Sequence, residues 1–377
     1  MKHLGSVGVA FLAMVSFGVM GAACGSGTEA TGGQGGTATS TNQGGGGAAS
    51  SSSSSGSTSS SSGTTSSSSG TTSSSSGSTS SSSGTVAVSD PDKDGPFTVA
   101  EMDDTIASAP GGNNNLPVHC AYPTAGPTDG PYPVVVVGHG MQLAASQYYS
   151  YVKRLASHGY VALTVDFPAS LLGVDNTKNA RDMLAGIDWA VSKPSLKANG
   201  NLAGMTGHSL GGKTALLAAT LDPRVKASIV LDPVDGGGPL GCNAPCVDVS
   251  TLMPSLQIPT GFLGETTDAM GGFQPCAPSA ENFLTFYAGT NAPSLSVTAV
   301  GANHMSFLDD VSSCGFTCSF CNAATAPNAQ VNAMARAYVV AFYERYLRGN
   351  TGYDTYLTGS EAQTRYVATG QATIATK

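Results

Sequence analysis

The chain is poor in charge and in aromatic rings. Of its 377 residues only 11% are Asp, Glu, Lys or Arg, 7% are aromatic, and one is a tryptophan. Lys and Arg number 16 against 24 Asp and Glu, a formal charge of −8, and the cations nowhere form a run. Without a basic stripe a phosphate backbone has nothing to hold, which argues against a nucleic-acid partner. The deficit is deepest in residues 25–89, which are almost entirely Gly, Ser and Thr. The second half of that tract repeats "SSSSGT" and close variants, with Gly56, Gly63, Gly70, Gly77 and Gly84 seven residues apart. A period of seven suits a coiled coil only if apolar residues fill the seam, and here none do. Such a tract cannot bury enough surface to offset its ordering entropy, so a flexible tether without chemistry is expected.

Positive charge is also missing behind the apolar start of the chain. Lys2 precedes "LGSVGVAFLAMVSFGVM", and "GAAC" then places small residues before Cys24. No stop-transfer cluster follows, so residues 1–24 read as a cleaved export signal and not as a spanning helix. Small residues directly before a Cys resemble the lipobox of bacterial lipoproteins, with Gly21 where that pattern usually has Leu. The resemblance implies acylation of Cys24 and a lipid-anchored protein of the bacterial cell envelope, in preference to a freely secreted one.

Residues 90–377 remain, about 290 residues and enough for one large α/β domain. "GPFTVAEMDDTI" and "NNNLPVHCAYPT" predict two antiparallel edge strands. Val134–Val137, "YVALTVDFP", "LAGMTGHS", "VKASIVLDPV", "IPTGFLGE" and "SLSVTAVGANH" predict buried strands, the last of these closing the sheet. Helical stretches alternate with them: "SQYYSYVKRLASHG" ended by Gly159, "NTKNARDMLAGIDWAVSK", "GGKTALLAATL", and a long amphipathic closing helix in "NAQVNAMARAYVVAFYERYLRG". That alternation means a mainly parallel central sheet with helices on both faces.

The pentapeptide Gly207-His208-Ser209-Leu210-Gly211 falls where a buried strand turns into a helix. A G-x-S-x-G there holds the serine on a sharp strand-to-helix turn at the carboxyl edge of the sheet with Oγ exposed. Gly207 and Gly211 flank Ser209 because side chains would collide with the neighbouring strand and helix. The helix start adds amide N–H groups and a positive dipole end.

A serine hydroxyl needs a base, and the base needs an acid to orient it. Six histidines are available. His3 lies in the leader, His119, His139, His158 and His208 read as packing or turn residues, and His304 follows the last predicted strand and the serine in chain order, as this fold requires. His304 is therefore the expected base. Asp232, ending the strand after the nucleophile helix, and Asp268, ending the next, compete as its acid, while Asp235 and Glu265 read as turn or rim residues. The oxyanion donors are expected from the backbone N–H groups of Leu210 and Met141, each worth roughly 10²–10³ in turnover.

Beyond the pentapeptide, four blocks in order resemble the chlorophyllase-like branch of the α/β-hydrolases. Plant chlorophyllases carry "GHSRGGKTAF", "DPVDG", "PPCAP" and a "GH" pair followed by "DMLDD". Here stand "GHSLGGKTAL", "DPVDG" at 232–236, "QPCAPSAENF" at 274–283 and "GANHMSFLDD" at 301–310. "LASHGYV" is also similar to bacterial polyester hydrolases and platelet-activating-factor acetylhydrolases. The resemblance implies a Ser209–His304–Asp232 triad acting on small-molecule or lipid-like esters, with no cofactor and no metal. Leu210 stands where the plant enzymes have Arg, and export and tethering also differ from a plastid enzyme. A surface-displayed binding module on a hydrolase scaffold, and a polyester- or lipase-type esterase, are the alternatives.

Of eight cysteines, seven fall in the domain: Cys120, Cys242, Cys246, Cys276, Cys314, Cys318 and Cys321. In an oxidising envelope disulfides are expected, Cys242 with Cys246 being one close pair, and an odd count leaves one thiol over. Cys314, Cys318 and Cys321 have the C-x₃-C-x₂-C spacing of iron–sulfur enzymes, a reading rejected for a triplet inserted late in an exported hydrolase. Asp90, Asp92, Asp94, Gly95 and Glu101 match a calcium-loop pattern. A strand instead of a helix follows them, so an acidic turn opening the domain is expected. Oligomeric state is left open.

Overall fold

The computed structural model describes residues 88–169, 173–236, 245–270 and 275–377. Cys24, nearly all of the Gly/Ser/Thr tract, and Cys242 lie outside the described residues. Strands β1 (Thr98–Ser108) and β2 (Asn114–Ala125) form the expected antiparallel pair. β3 (Tyr132–Gly138), β4 (Val161–Val165), β5 (Ala198–Gly207), β6 (Val225–Leu231), β7 (Thr260–Glu265) and β8 (Ser294–Ala299) run parallel to one another, and β2 joins β4 antiparallel. Every residue of β3, β4 and β7 is buried, which is why these strands appear as continuous apolar runs and not as alternation. The order is β1-β2-β4-β3-β5-β6-β7-β8 with one further strand, β9 (Ala372–Thr376), antiparallel to β8. The sequence reading closes the sheet at β8, and β9 corrects it. Its five residues, ATIAT, are too short and too weakly patterned to stand out.

Helices cover both faces. α1 (Tyr149–Ser157) and α5 (Asn328–Tyr346) pack one side, with Val135, Val137, Ile229 and Val297 of the sheet. α2 (Asn176–Val191), α3 (Leu210–Leu221) and α4 (Phe283–Gly289) pack the other, with Val134, Val136, Met205 and Val230. Gly159, at φ 92°, ends α1 and turns the chain into β4. Asp175 caps α2 by accepting from the Lys178 amide at 3.0 Å.

α5 departs from expectation. An amphipathic helix leaves one stripe wet, but every residue from Ala337 to Glu344 is buried. The segment around Thr351–Leu357 packs over its outer side and converts a surface helix into a central one. Glu344 is carried inside with it and meets Arg348 at 3.4 Å.

The acidic turn at the start of the domain is occupied by protein cations. Arg365 takes both carboxylate oxygens of Asp90 at 2.8 and 3.1 Å, Arg154 meets Asp94 at 3.2 Å, and Lys153 meets Glu101 at 2.8 Å. Three of the pattern's four carboxylates thus point to three separate partners. The cysteine triplet is likewise divided: Cys314 pairs with Cys318, and Cys321 with Cys276. Asp268, Cys276 and Cys321 lie close together, but both of those sulfurs are spent in a disulfide. Cys246 is also disulfide-bonded. Cys120 is the free thiol among the described residues, and burial pushes it up to about 12.

Candidate active site

β5 runs into α3 through a single strained residue. Ser209 has φ 56° and ψ −120°, a region that L residues rarely enter. Its amide donates to the Leu231 carbonyl at 3.0 Å and the His208 amide to the Gly138 carbonyl at 3.1 Å, so β3 and β6 clamp the turn from both sides. A Cβ at Gly207 would strike the Gly211 carbonyl, and one at Gly211 would strike the backbone of Gly138. That crossing of strand and helix is the physical content of the two glycines in the pentapeptide.

The loops after β6 and β8 bring the other groups to this turn. His304 Nε2 lies 2.8 Å from Ser209 Oγ, and its Nδ1 lies 2.6 Å from Asp232 Oδ2. Asp232 has φ 40° and is fully buried. Its amide donates to the Leu263 carbonyl at 2.5 Å. Among the described residues Asp232 Oδ1 has no hydrogen-bond partner, and Oδ2 is the oxygen committed to the imidazole. Burial raises the Asp232 carboxyl, partly offset by His304. Burial alone would lower His304, but the hydrogen bond and charge of Asp232, with the charges of Asp268 and Glu265, outweigh it and leave the imidazole raised. In the neutral ring Nδ1–H donates to Asp232 and Nε2 accepts from Ser209, an arrangement able to take the serine proton and stabilise the resulting imidazolium.

Asp268, the competing acid of the sequence reading, serves the backbone of the same histidine. Its Oδ2 accepts from the His304 amide at 2.8 Å, and its Oδ1 from the Asn322 amide at 2.6 Å. Asp232 holds the ring and Asp268 holds the loop. Glu265 is no rim residue: it is buried, accepts from the Thr267 amide and from the Asp268 amide at 2.9 Å, and burial with the nearby Asp232 charge pushes its carboxyl up to about 7. Asp235 belongs elsewhere as well. It meets the fully buried Lys213 ammonium at 3.1 Å and accepts from the Val249 and Ser250 amides at 2.9 and 2.7 Å. The Lys of "GGKTA" and the second Asp of "DPVDG" are therefore one buried ion pair beneath the turn.

Sequence reasoning missed a brace that spans three loops. Tyr148 Oη accepts from the Gly140 amide at 3.2 Å and donates to His208 Nδ1 at 2.8 Å, and His208 Nε2–H donates to the His304 carbonyl at 2.8 Å. Burial holds His208 well below its ordinary value, which keeps the ring neutral as this chain of donors requires. No spacing signal announces a tyrosine 60 residues upstream of its partner. Among the described residues His119, His139 and His158 stay off the Ser209 cluster. His119 contacts Asp103 and Tyr149, His139 faces the Gly140 and Phe167 carbonyls, and His158 faces Lys93 and Ser89.

Ser209 opens into a cleft of about 130 Å³ lined by Met141, Leu210, Val234, Gly236, Pro275, Cys276, Pro278 and Glu281. The two residues expected to supply oxyanion donors, Met141 and Leu210, thus line the same cleft as the serine.

With this geometry in view, the comparisons with known proteins are specific. The chlorophyllase family model matches residues 86–364. The chain belongs to the chlorophyllase family. It is 32% identical to Chlorophyllase-1 of Arabidopsis thaliana over 212 residues, 52% of this chain and 64% of that one. It is 29% identical to a bis(hydroxyethyl) terephthalate hydrolase of Streptomyces coelicolor, covering 52% of this chain and 56% of the relative. Cutinase 2 of Thermobifida cellulosilytica is 24% identical over 70% of this chain and 85% of its own length. The matches to the first two relatives thus span less than two thirds of their length. The mostly parallel nine-stranded sheet with helices on both faces is an α/β-hydrolase fold.

Proposed function

We propose that this protein is a serine carboxylic-ester hydrolase working through Ser209, His304 and Asp232. The observation that carries the reading is the pair of contacts at His304, 2.8 Å to the serine hydroxyl and 2.6 Å to a buried carboxylate, at a turn with positive φ. Ser209 Oγ attacks the ester carbonyl while His304 takes its proton. The amides of Leu210 and Met141 receive the developing oxyanion, and Asp232 holds the ring and balances its charge. His304 then protonates the leaving alcohol, water enters, and the acyl-enzyme is hydrolysed by the same steps in reverse order of roles.

Membership of the chlorophyllase family supports apolar esters as substrates, chlorophyll among them. Similarity to the terephthalate-ester hydrolase and the cutinase supports a second reading, a polyester-type esterase, and Leu210 beside the nucleophile fits that reading better than a plant-like Arg. We further propose that the leader exports the chain to a bacterial envelope, that Cys24 carries a lipid anchor, and that the Gly/Ser/Thr tract is a spacer.

The test is a chain-length series of p-nitrophenyl esters, with chlorophyll and a soluble polyester alongside, on the full chain and its Ser209→Ala variant. Serine-dependent turnover is expected, at least about 10⁴-fold above the variant by analogy with other triads. A folded protein inactive on every ester would leave the binding-module reading in its place.

A further inference from the structure

The cleft beside Ser209 has one unspent ionic group, and it is an acid. Met141, Leu210, Val234, Pro275 and Pro278 offer no charge, Cys276 is in a disulfide, and Glu281 is exposed. The Glu281 backbone is fixed on both sides: its amide donates to the Pro278 carbonyl and its carbonyl accepts from the Asp235 amide, each at 2.8 Å. Its carboxylate lies over Gly236, where even a Cβ would approach it to 2.5 Å. Among the described residues the cation beneath this wall is Lys213, fully buried and already opposed by Asp235 at 3.1 Å. Asp248 adds to the acidic side, within reach of Asp235 and Lys213. Residues 170–172, 237–244 and 271–274, which lie outside the described residues, contain no Lys, Arg or His.

We propose that Glu281 makes this site discriminate by charge: neutral and cationic esters are taken, and esters bearing a free carboxylate are turned away. The inference rests on the esterase reading and names the substrate class within it. An apolar cleft with no cation cannot offset the desolvation of a substrate carboxylate, and Glu281 adds direct repulsion. Discrimination of about three- to tenfold in kcat/KM at low salt follows for like charges roughly 6–8 Å apart in a half-solvated site. Added salt shrinks it, because the cleft is open to counterions.

The experiment uses mono-p-nitrophenyl adipate, its methyl ester and a terminal trimethylammonium analogue of equal length, to place the charge on the acyl side. A choline ester and its neutral 3,3-dimethylbutyl counterpart place it on the alcohol side. Both series are run on the full chain, Glu281→Gln and Glu281→Lys, at low salt and at high salt. The readout is the ratio of kcat/KM for charged and neutral members, which is insensitive to partial loss of folded protein. Expected are a ratio below one third for the anion in the parent, a ratio near one in Glu281→Gln, and a preference for the anion in Glu281→Lys. An anion handled within twofold of the neutral ester by the parent, or an unchanged ratio in both variants, overturns the inference. Absence of turnover on the neutral esters themselves sinks the esterase reading instead, so the two failures look different.

Discussion

Two buried aspartates contact one histidine, and the contacts assign them different work. Replacing Asp232 by Asn removes the charge opposite His304 Nδ1 and offers the ring an amide that can hold the wrong tautomer. Opposite charges about 4 Å apart at an effective permittivity near 20 interact by about 4 kcal/mol. That alone is about 10³ in rate, and the tautomer error extends it toward 10⁴. Replacing Asp268 by Asn leaves the ring's partner in place. It turns one of two acceptors, at 2.8 Å from the His304 amide and 2.6 Å from the Asn322 amide, into an NH₂ group facing an N–H. Two donors cannot share that site, and leaving a buried amide unsatisfied costs about 1–3 kcal/mol. Part of that cost appears as displacement of the loop. Asp268→Asn should therefore lose about 10- to 100-fold in kcat/KM and lower the denaturation midpoint, whereas Asp232→Asn should lose about 10³–10⁴ with a smaller change in stability. Steady-state kinetics on a p-nitrophenyl ester from pH 5 to 9, with urea denaturation of both variants, separates the cases. The downfield proton resonance of the Nδ1–H···Oδ2 bond should vanish in Asp232→Asn and persist in Asp268→Asn. Retention of more than a tenth of the activity in Asp232→Asn, with near-total loss in Asp268→Asn, would refute the assignment.

Four further outcomes follow from the same geometry. His304 must be neutral to act as base and its imidazole is raised by three carboxylates, so kcat/KM should fall as pH drops through a value above the ordinary 6.5. Glu265→Gln removes one of those charges and should move this acid limb to lower pH, and a limb that stays put would remove Glu265 from the account. Folding should report the same group. A carboxyl raised from 4.5 to about 7 on folding binds more protons in the native state, so its contribution is present below about pH 4.5 and is lost as pH rises through 7. Glu265→Gln should thus gain about 1–3 kcal/mol over the parent at pH 8 and nothing at pH 4. Ser209 is held at φ 56°, so Ser209→Gly should be inactive yet more stable than Ser209→Ala by about 1–2 kcal/mol in denaturant titrations. An equal midpoint for the two would mean that the turn stores no strain. Cys321→Ser opens the Cys276–Cys321 link, which closes 45 residues and joins the cleft wall to the Asn322–Asp268 support of His304. A loss of up to about 4 kcal/mol together with a drop in kcat is expected. Full activity at unchanged stability would count against that coupling.

What the sequence made readable, and what it did not, divides along a physical line. β3, β4 and β7 are buried on both faces, and that condition writes itself into the chain as apolar runs. Ser209 was legible because its turn constrains Gly207 and Gly211 by collision, and His304 because the fold fixes chain order. The roles of Asp268, Glu265 and Tyr148 were not, since a carboxylate facing a backbone amide and one facing an imidazole look identical in one dimension. The raised carboxyl of Glu265 comes first from burial and then from Asp232, 33 positions away, being folded beside it. α5 differs from the amphipathic expectation because its polar residues meet partners inside the fold, Asn332 at Phe307 and Asp309 and Glu344 at Arg348. Charge along a helix implies solvent only when no other segment covers it.

The fastening of Ser89 and Asp90 gives the domain a front and a back. Ser89 is held by Tyr353 and His158, and Asp90 by Arg365. His158 sits just before β4, at the amino ends of the parallel strands, whereas Ser209 follows the carboxyl end of β5. A pull on the chain ahead of Ser89 therefore loads the end of the sheet opposite the cleft, meeting the Ser89 hydrogen bonds first and the two-pronged Asp90–Arg365 ion pair next. The turn that holds Ser209 lies outside that line of load.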